Sequence, residues 1–92
     1  MIRSFKWAET AALARGERVK RLVNVAAVAR RKLRQLEIAD RLGDLRVPPG
    51  NRLEALKGDR VGQHSIRVND QFRVCFRWAG SGAEDVEIVD YH

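Results

Sequence analysis

The hydrophobic pattern of this chain changes its period once, and that change limits the fold more than any other feature. Between about residues 19 and 42, Leu22, Ala26, Ala29, Leu33 and Leu36 recur at spacings of three and four, the repeat of a helix with one apolar stripe. From residue 52 onward the period is two. Phe72, Val74, Phe76 and Trp78 alternate with Arg73, Cys75 and Arg77, and Val86-Glu87-Ile88-Val89-Asp90-Tyr91-His92 alternates again. A period of two places successive side chains on opposite faces of a sheet. Helices followed by a run of strands make an α+β domain, with the helices segregated to one face of an antiparallel sheet.

Local signals supply the bounds. Met1 to Phe5 fits a short N-terminal strand, and Ala8 to Arg15 a brief helix stopped by Gly16. A second helix is expected from about Val19 to Leu42, ended by Gly43, with Glu37 placed to pair with Arg41 one turn on. Leu45-Arg46-Val47-Pro48-Pro49-Gly50 is a connection, since proline suits neither a helix interior nor a central strand. Strands follow at Arg52 to Leu56, Gln63 to Val68, Phe72 to Trp78 and the carboxy-terminal run, separated by a Lys57-Gly58-Asp59-Arg60 turn, Asn69-Asp70 and a flexible Ala79–Ala83 hairpin loop. The expected fold is a single domain over residues 1–92: a short N-terminal strand and two helices packed on one face of a four-stranded antiparallel sheet.

Charge is distributed unevenly. Residues 1–50 carry twelve basic and five acidic side chains; residues 51–92 carry six and seven. A pI near 10.4 favours a polyanionic partner, although a solubilising surface gives the same number. The non-stripe side of the long helix, with Arg30, Arg31, Lys32, Arg34 and Arg41, is the expected basic face. One cysteine, Cys75, excludes an internal disulfide and a cysteine-based zinc site, and its apolar setting reads as a buried thiol. The amino terminus lacks a signal-peptide core and no window reaches the length of a membrane span, so a cytoplasmic compartment without membrane association is expected.

The chemistry-bearing residues gather on the second half. Cleaving RNA without a metal needs a group to take the 2′-hydroxyl proton, a group to protonate the departing 5′ oxygen, and cations to hold the phosphate. His92 titrates near neutrality, Asp90 can accept a proton or orient a ring, and Tyr91 can donate a hydrogen bond. Lys57, Arg60 and Arg73 offer fixed positive charge. Each has a plainer reading: Asp90-Tyr91-His92 as an ordinary strand end, Lys57 and Arg60 as exposed turn charges, Arg73 as a cross-strand partner of Glu54 or Asp90, His64 as a structural residue. Two histidines far apart make a poor metal site, no glycine pattern cradles a nucleotide, and Ser65 and Ser81 lack a nucleophile elbow. No metal or other cofactor is expected.

Taken together, Met1-Ile2-Arg3-Ser4-Phe5, Leu53-Glu54-Ala55-Leu56-Lys57-Gly58-Asp59-Arg60, His64-Ser65-Ile66, Gln71-Phe72-Arg73 and the ending Val89-Asp90-Tyr91-His92 resemble the HigB branch of the RelE superfamily. The Pro48-Pro49-Gly50-Asn51-Arg52-Leu53 lead-in is similar to GraT-type members. The resemblance implies a microbial-ribonuclease-like fold and a toxin of a type II toxin–antitoxin pair. Such a toxin enters the ribosomal A site and cuts mRNA without a metal, using the 2′-hydroxyl as internal nucleophile. It also implies a HigA-type helix-turn-helix antitoxin, through which alone operator DNA would be contacted. Position by position, Lys57 and Arg73 match phosphate-stabilising residues, Asp90, Tyr91 and His92 the terminal catalytic cluster, and Arg60 the motif around them. Several HigB toxins carry a histidine where this chain has Glu54, which is able to accept a proton in its place. Arg30, Arg31, Lys32 and Arg34 would then hold ribosomal RNA phosphates. The competing expectation is a non-catalytic toxin of the same fold, either a ParE-like topoisomerase inhibitor or a ribosome-binding translation blocker.

Overall fold

A computed structural model describes residues 1–90 of the chain. Helix α1 (Ala8–Ala14) uses the good formers Ala11, Ala12 and Leu13 and ends where Gly16 turns to φ +92°. It buries Leu13 and Thr10, and the Thr10 hydroxyl accepts a hydrogen bond from the Ile88 amide at 3.4 Å, tying the helix to the sheet.

The single long helix expected over 19–42 is divided. Lys20–Val25 is a 3-10 segment, and only Ala26–Ile38 forms the α-helix α2. Val23, Asn24 and Val25 explain the division, because β-branched residues and asparagine lose most on entering an α-helix. At the other end Ala39 is already extended, and the Asp44 carboxylate accepts hydrogen bonds from the Asp40 and Arg41 amides at 3.1 Å each. That cap starts a further 3-10 turn at Leu42–Arg46, so Gly43 sits inside a turn instead of ending a helix. Arg41 therefore lies beyond α2, and Glu37 accepts from the Ile2 amide at 2.6 Å.

Among the described residues, four strands form one antiparallel sheet in the order β1-β2-β3-β4: Glu54–Ala55, His64–Arg67, Phe72–Ala79 and Gly82–Asp90. Strand β1 is shorter than expected. Pro49–Asn51 winds into a 3-10 turn and Arg52 takes a left-handed conformation at φ 47°, which delays extended pairing. The N-terminal segment runs parallel beside β4 through isolated bridges, Ile2 to Ala83 and Phe5 to Val86, and does not form a continuous strand. Gly82 permits this approach, since a Cβ there would come within 2.9 Å of the Met1 carbonyl and 2.6 Å of the Arg3 side chain.

The helices cover one face of the sheet. Leu13, Leu22, Ala29, Leu33 and Leu36 meet Ile66, Val74, Phe76, Val86 and Ile88, all buried. A register shift between Cys75 and Arg77 sets two β4 residues against Phe76, with Asp85 in a left-handed conformation at φ 52°. The bulge lets Ala83, Val86 and Ile88 all reach the core while Glu84 and Glu87 turn the other way. The helix-free face of the sheet is thereby left mostly to polar side chains.

Candidate functional site on the helix-free face of the sheet

Register decides which residues share that face. Glu54 pairs with Ser65, Ser65 with Cys75, and Cys75 with Glu87, so one row crosses all four strands. Arg67, Arg73 and Val89 form the next row. Directly paired residues point to the same side of an antiparallel sheet, and alternation sends Ile66, Val74 and Ile88 to the core.

Arg73 is the centre of this face. Its Nη1 donates to Glu54 Oε1 at 3.2 Å and its Nη2 donates to the Arg52 carbonyl at 3.0 Å. Glu54 is on β1 and Arg73 on β3, with strands about 4.8 Å apart, so the arginine side chain spans the width of β2. Its side chain is 13% exposed and that of Glu54 51%. The cross-strand partnership anticipated as the plainer role of Arg73 is therefore present, and it places a cation and a proton-accepting group side by side.

Arg60 is anchored differently. Leaving the 3-10 turn Gly58–Arg60, its Nη1 donates to Gln63 Oε1 at 3.0 Å and its Nη2 to Glu87 Oε1 at 3.1 Å. Lys6 Nζ lies 3.4 Å from the other Glu87 oxygen. Glu87 is 1% exposed; a buried carboxylate needs such partners, because an unpaired charge out of water is prohibitive. Alternation puts Glu87 on the polar face, but nothing in the sequence marks it as the buried anchor of Arg60. Cys75 lies between these pairs. Burial is the main cause that pushes its thiol up to about 11, against the pull of Arg60 and Arg73 and with a push from Glu87 and Glu54. It is a protonated, buried thiol and forms part of the floor.

Lys57 is exposed and opens the turn that carries Arg60, three residues past Glu54. Asp90 is placed elsewhere. It pairs with Phe72, which register assigns to the helix side, and its carboxylate accepts from Gln71 Nε2 at 3.1 Å. Tyr91 and His92 lie outside the described residues. The structure thus brings Glu54, Arg73 and Arg60 onto one face, sets Lys57 beside them in sequence, and directs Asp90 toward the opposite side at the sheet's end. His64 is also on the helix side, stacked on Phe76 with ring centroids 6.3 Å apart, in keeping with a structural residue.

The basic helix face is smaller than expected. Lys32 is buried, and its Nζ donates to Asn51 Oδ1 at 2.5 Å; burial first, then Arg31 and Arg67, holds its pKa below the ordinary lysine value. Lys32 is therefore corrected from a solvent-facing cation to a buried strut. It lies three residues after Ala29, at the margin of the apolar stripe, where the loop through Asn51 covers it. Arg30 donates to the carbonyls of Leu13 at 3.0 Å and Glu17 at 2.8 Å, joining α2 to the end of α1. Arg31 and Arg34 are exposed.

Among the described residues, no helix is long and apolar enough to cross a membrane. A segment of 48 residues is 54% identical to toxin HigB-1 of Vibrio cholerae, covering 52% of this chain and 50% of that protein. Another, of 55 residues, is 38% identical to an uncharacterised protein of Haemophilus influenzae, covering 60% and 54%. These matches span about half the length of the curated relatives. Residues 14–92 match the model of the HigB-like toxins, described as the RelE-like toxin of the type II toxin–antitoxin system HigB. With its helices on one face of an antiparallel sheet and Arg60 and Arg73 on the other, the chain belongs to the HigB-like toxins of the RelE superfamily.

Proposed function

We propose that this toxin is a metal-independent endoribonuclease that cuts mRNA in the ribosomal A site and so stops translation. The observation that carries the reading is the pairing of Arg73 with Glu54 on the helix-free face: a phosphate-binding cation beside a group able to accept a proton. In the reaction the 2′-oxygen attacks the adjacent phosphorus and the bond from phosphorus to the 5′-oxygen breaks. The products are a 2′,3′-cyclic phosphate and a 5′-hydroxyl. Glu54 or one of the terminal residues Tyr91 and His92 takes the 2′-hydroxyl proton, and another of these groups protonates the leaving oxygen. Arg73 and Lys57 stabilise the charge that grows on the phosphate.

The ribosome supplies what so small a sheet lacks. Holding mRNA in line for attack contributes several powers of ten in rate, and a face of this size offers few contacts to do it. Arg31 and Arg34, exposed on α2, hold ribosomal RNA phosphates, which makes binding strongly salt-dependent. The partner that silences the toxin is an antitoxin, of the HigA type with a helix-turn-helix domain, and operator DNA is contacted through it. The protein works in the cytoplasm, where ribosomes are.

Mapping mRNA 5′ ends after induction tests the reading. New ends inside reading frames are expected from the native chain. Arg73→Ala or removal of His92 is expected to reduce them at least a hundredfold and to abolish growth arrest, with circular dichroism unchanged. Growth arrest without new ends would instead indicate a translation blocker or a ParE-like topoisomerase inhibitor.

A further inference from the structure

Ser65 is at the middle of the polar face, fully buried, and its hydroxyl finds no hydrogen-bond partner among the described residues. A buried hydroxyl without a partner is uncommon and asks for a reason. The register supplies the surroundings: Ser65 is paired with Glu54 on one side and Cys75 on the other. Arg73, two residues along β3 from Cys75, sends its guanidinium across β2 to the Glu54 carboxylate and the Arg52 carbonyl. The ion pair therefore passes over the strand that carries Ser65.

A carboxylate and a phosphodiester present similar oxygens to a guanidinium, and arginine takes either by the same geometry. Glu54 has only moderate hold on its place. Its side chain is half exposed, its contact with Arg73 is a single hydrogen bond, and an exposed pair of this kind contributes little to stability. Arg73 is better fixed, because the Arg52 carbonyl holds its other nitrogen.

We propose that the Glu54 carboxylate stands in the place of a substrate phosphate on Arg73, and that its departure uncovers the Ser65 hydroxyl as a second anchor for that phosphate. The inference rests on the ribonuclease reading for the identity of the phosphate, and it deepens that reading by assigning Ser65 to the binding site. Displacement of Glu54 by RNA also leaves its carboxylate without a counter-ion beside the scissile linkage, where it can accept a proton. Substrate binding and activation of the base then become one event.

Inorganic sulfate tests this without RNA or ribosomes. It would be titrated at constant ionic strength into the full chain and into Glu54→Gln, Ser65→Ala and the double variant, following the Arg73 side-chain and Ser65 amide signals by NMR. Glu54→Gln is expected to bind sulfate about three- to tenfold more tightly than the native chain, since a charged competitor is removed. Adding Ser65→Ala is expected to reverse most of that gain. Ser65→Ala alone should leave the melting temperature unchanged or higher, because it deletes an unsatisfied group. Equal affinity in Glu54→Gln and the native chain, or shifts confined to Arg31 and Arg34, would overturn the proposal. A gain in Glu54→Gln that survives Ser65→Ala would overturn the role of the hydroxyl. The ribonuclease reading fails separately, through mRNA ends that do not change.

Discussion

Replacing Asn51 with alanine is expected to be among the most destabilising single changes outside the apolar core. Asn51 is fully buried and works in three directions. Its Oδ1 accepts from Lys32 Nζ at 2.5 Å, and its Nδ2 donates to Gln35 Oε1 at 2.9 Å and to the Leu45 carbonyl at 3.1 Å. A hydrogen bond to a charged group contributes about 2 kcal/mol and each neutral one about 1 kcal/mol. The total is reduced because Gln35 is only half-buried and can turn to water. About 3 kcal/mol remains, most of it from leaving the Lys32 ammonium buried without its acceptor. For a domain of this size that is a fall of roughly 15 °C in melting temperature. Lys32→Met removes the stranded charge, so the Asn51→Ala/Lys32→Met pair is expected to lose less than the sum of the single losses, with a coupling of about 1–2 kcal/mol. Thermal and urea unfolding of the four proteins measures both quantities. A drop of under about 3 °C for Asn51→Ala, or simple additivity, would refute the network as the element that fixes the loop leading into β1.

Titration of the same lysine gives a second expectation. Its folded pKa is lowered, so between that value and 10.5 the unfolded chain binds more protons, and stability rises with pH across that window. The difference in unfolding free energy between the native chain and Lys32→Met should show this rise and flatten above about 10.5. Gly82→Ala forces a Cβ against the Met1 carbonyl; it is expected to destabilise by about 1–3 kcal/mol and to speed amide exchange at Arg3 and Lys6, whose amides bond to β4. The Cys75 thiol, buried and pushed up to about 11, is expected to resist a thiol-specific reagent at pH 8 in the folded protein and to react at once in denaturant.

The period of the apolar residues determined the class of fold. One helical stripe and four runs of period two left a layer of helices on a sheet as the arrangement that buries both. Alternation along β3 also separated Arg73 from Phe72 and Val74 without any coordinates. These features are local, and the side-chain period of a helix or strand is a property of the backbone itself. Tertiary structure decided what depends on partners distant in sequence. Whether Lys32 meets water depends on a loop nineteen residues away that brings Asn51 onto it. Glu87 is an anchor and not a surface acid because Lys6 and Arg60, both distant from it in sequence, arrive at its two oxygens. The facing of Asp90 followed from pairing with Phe72, and the Arg73–Glu54 contact from the order of three strands. Charge and hydrogen bonding act across space, so the chain encodes these contacts only through the fold that brings them together.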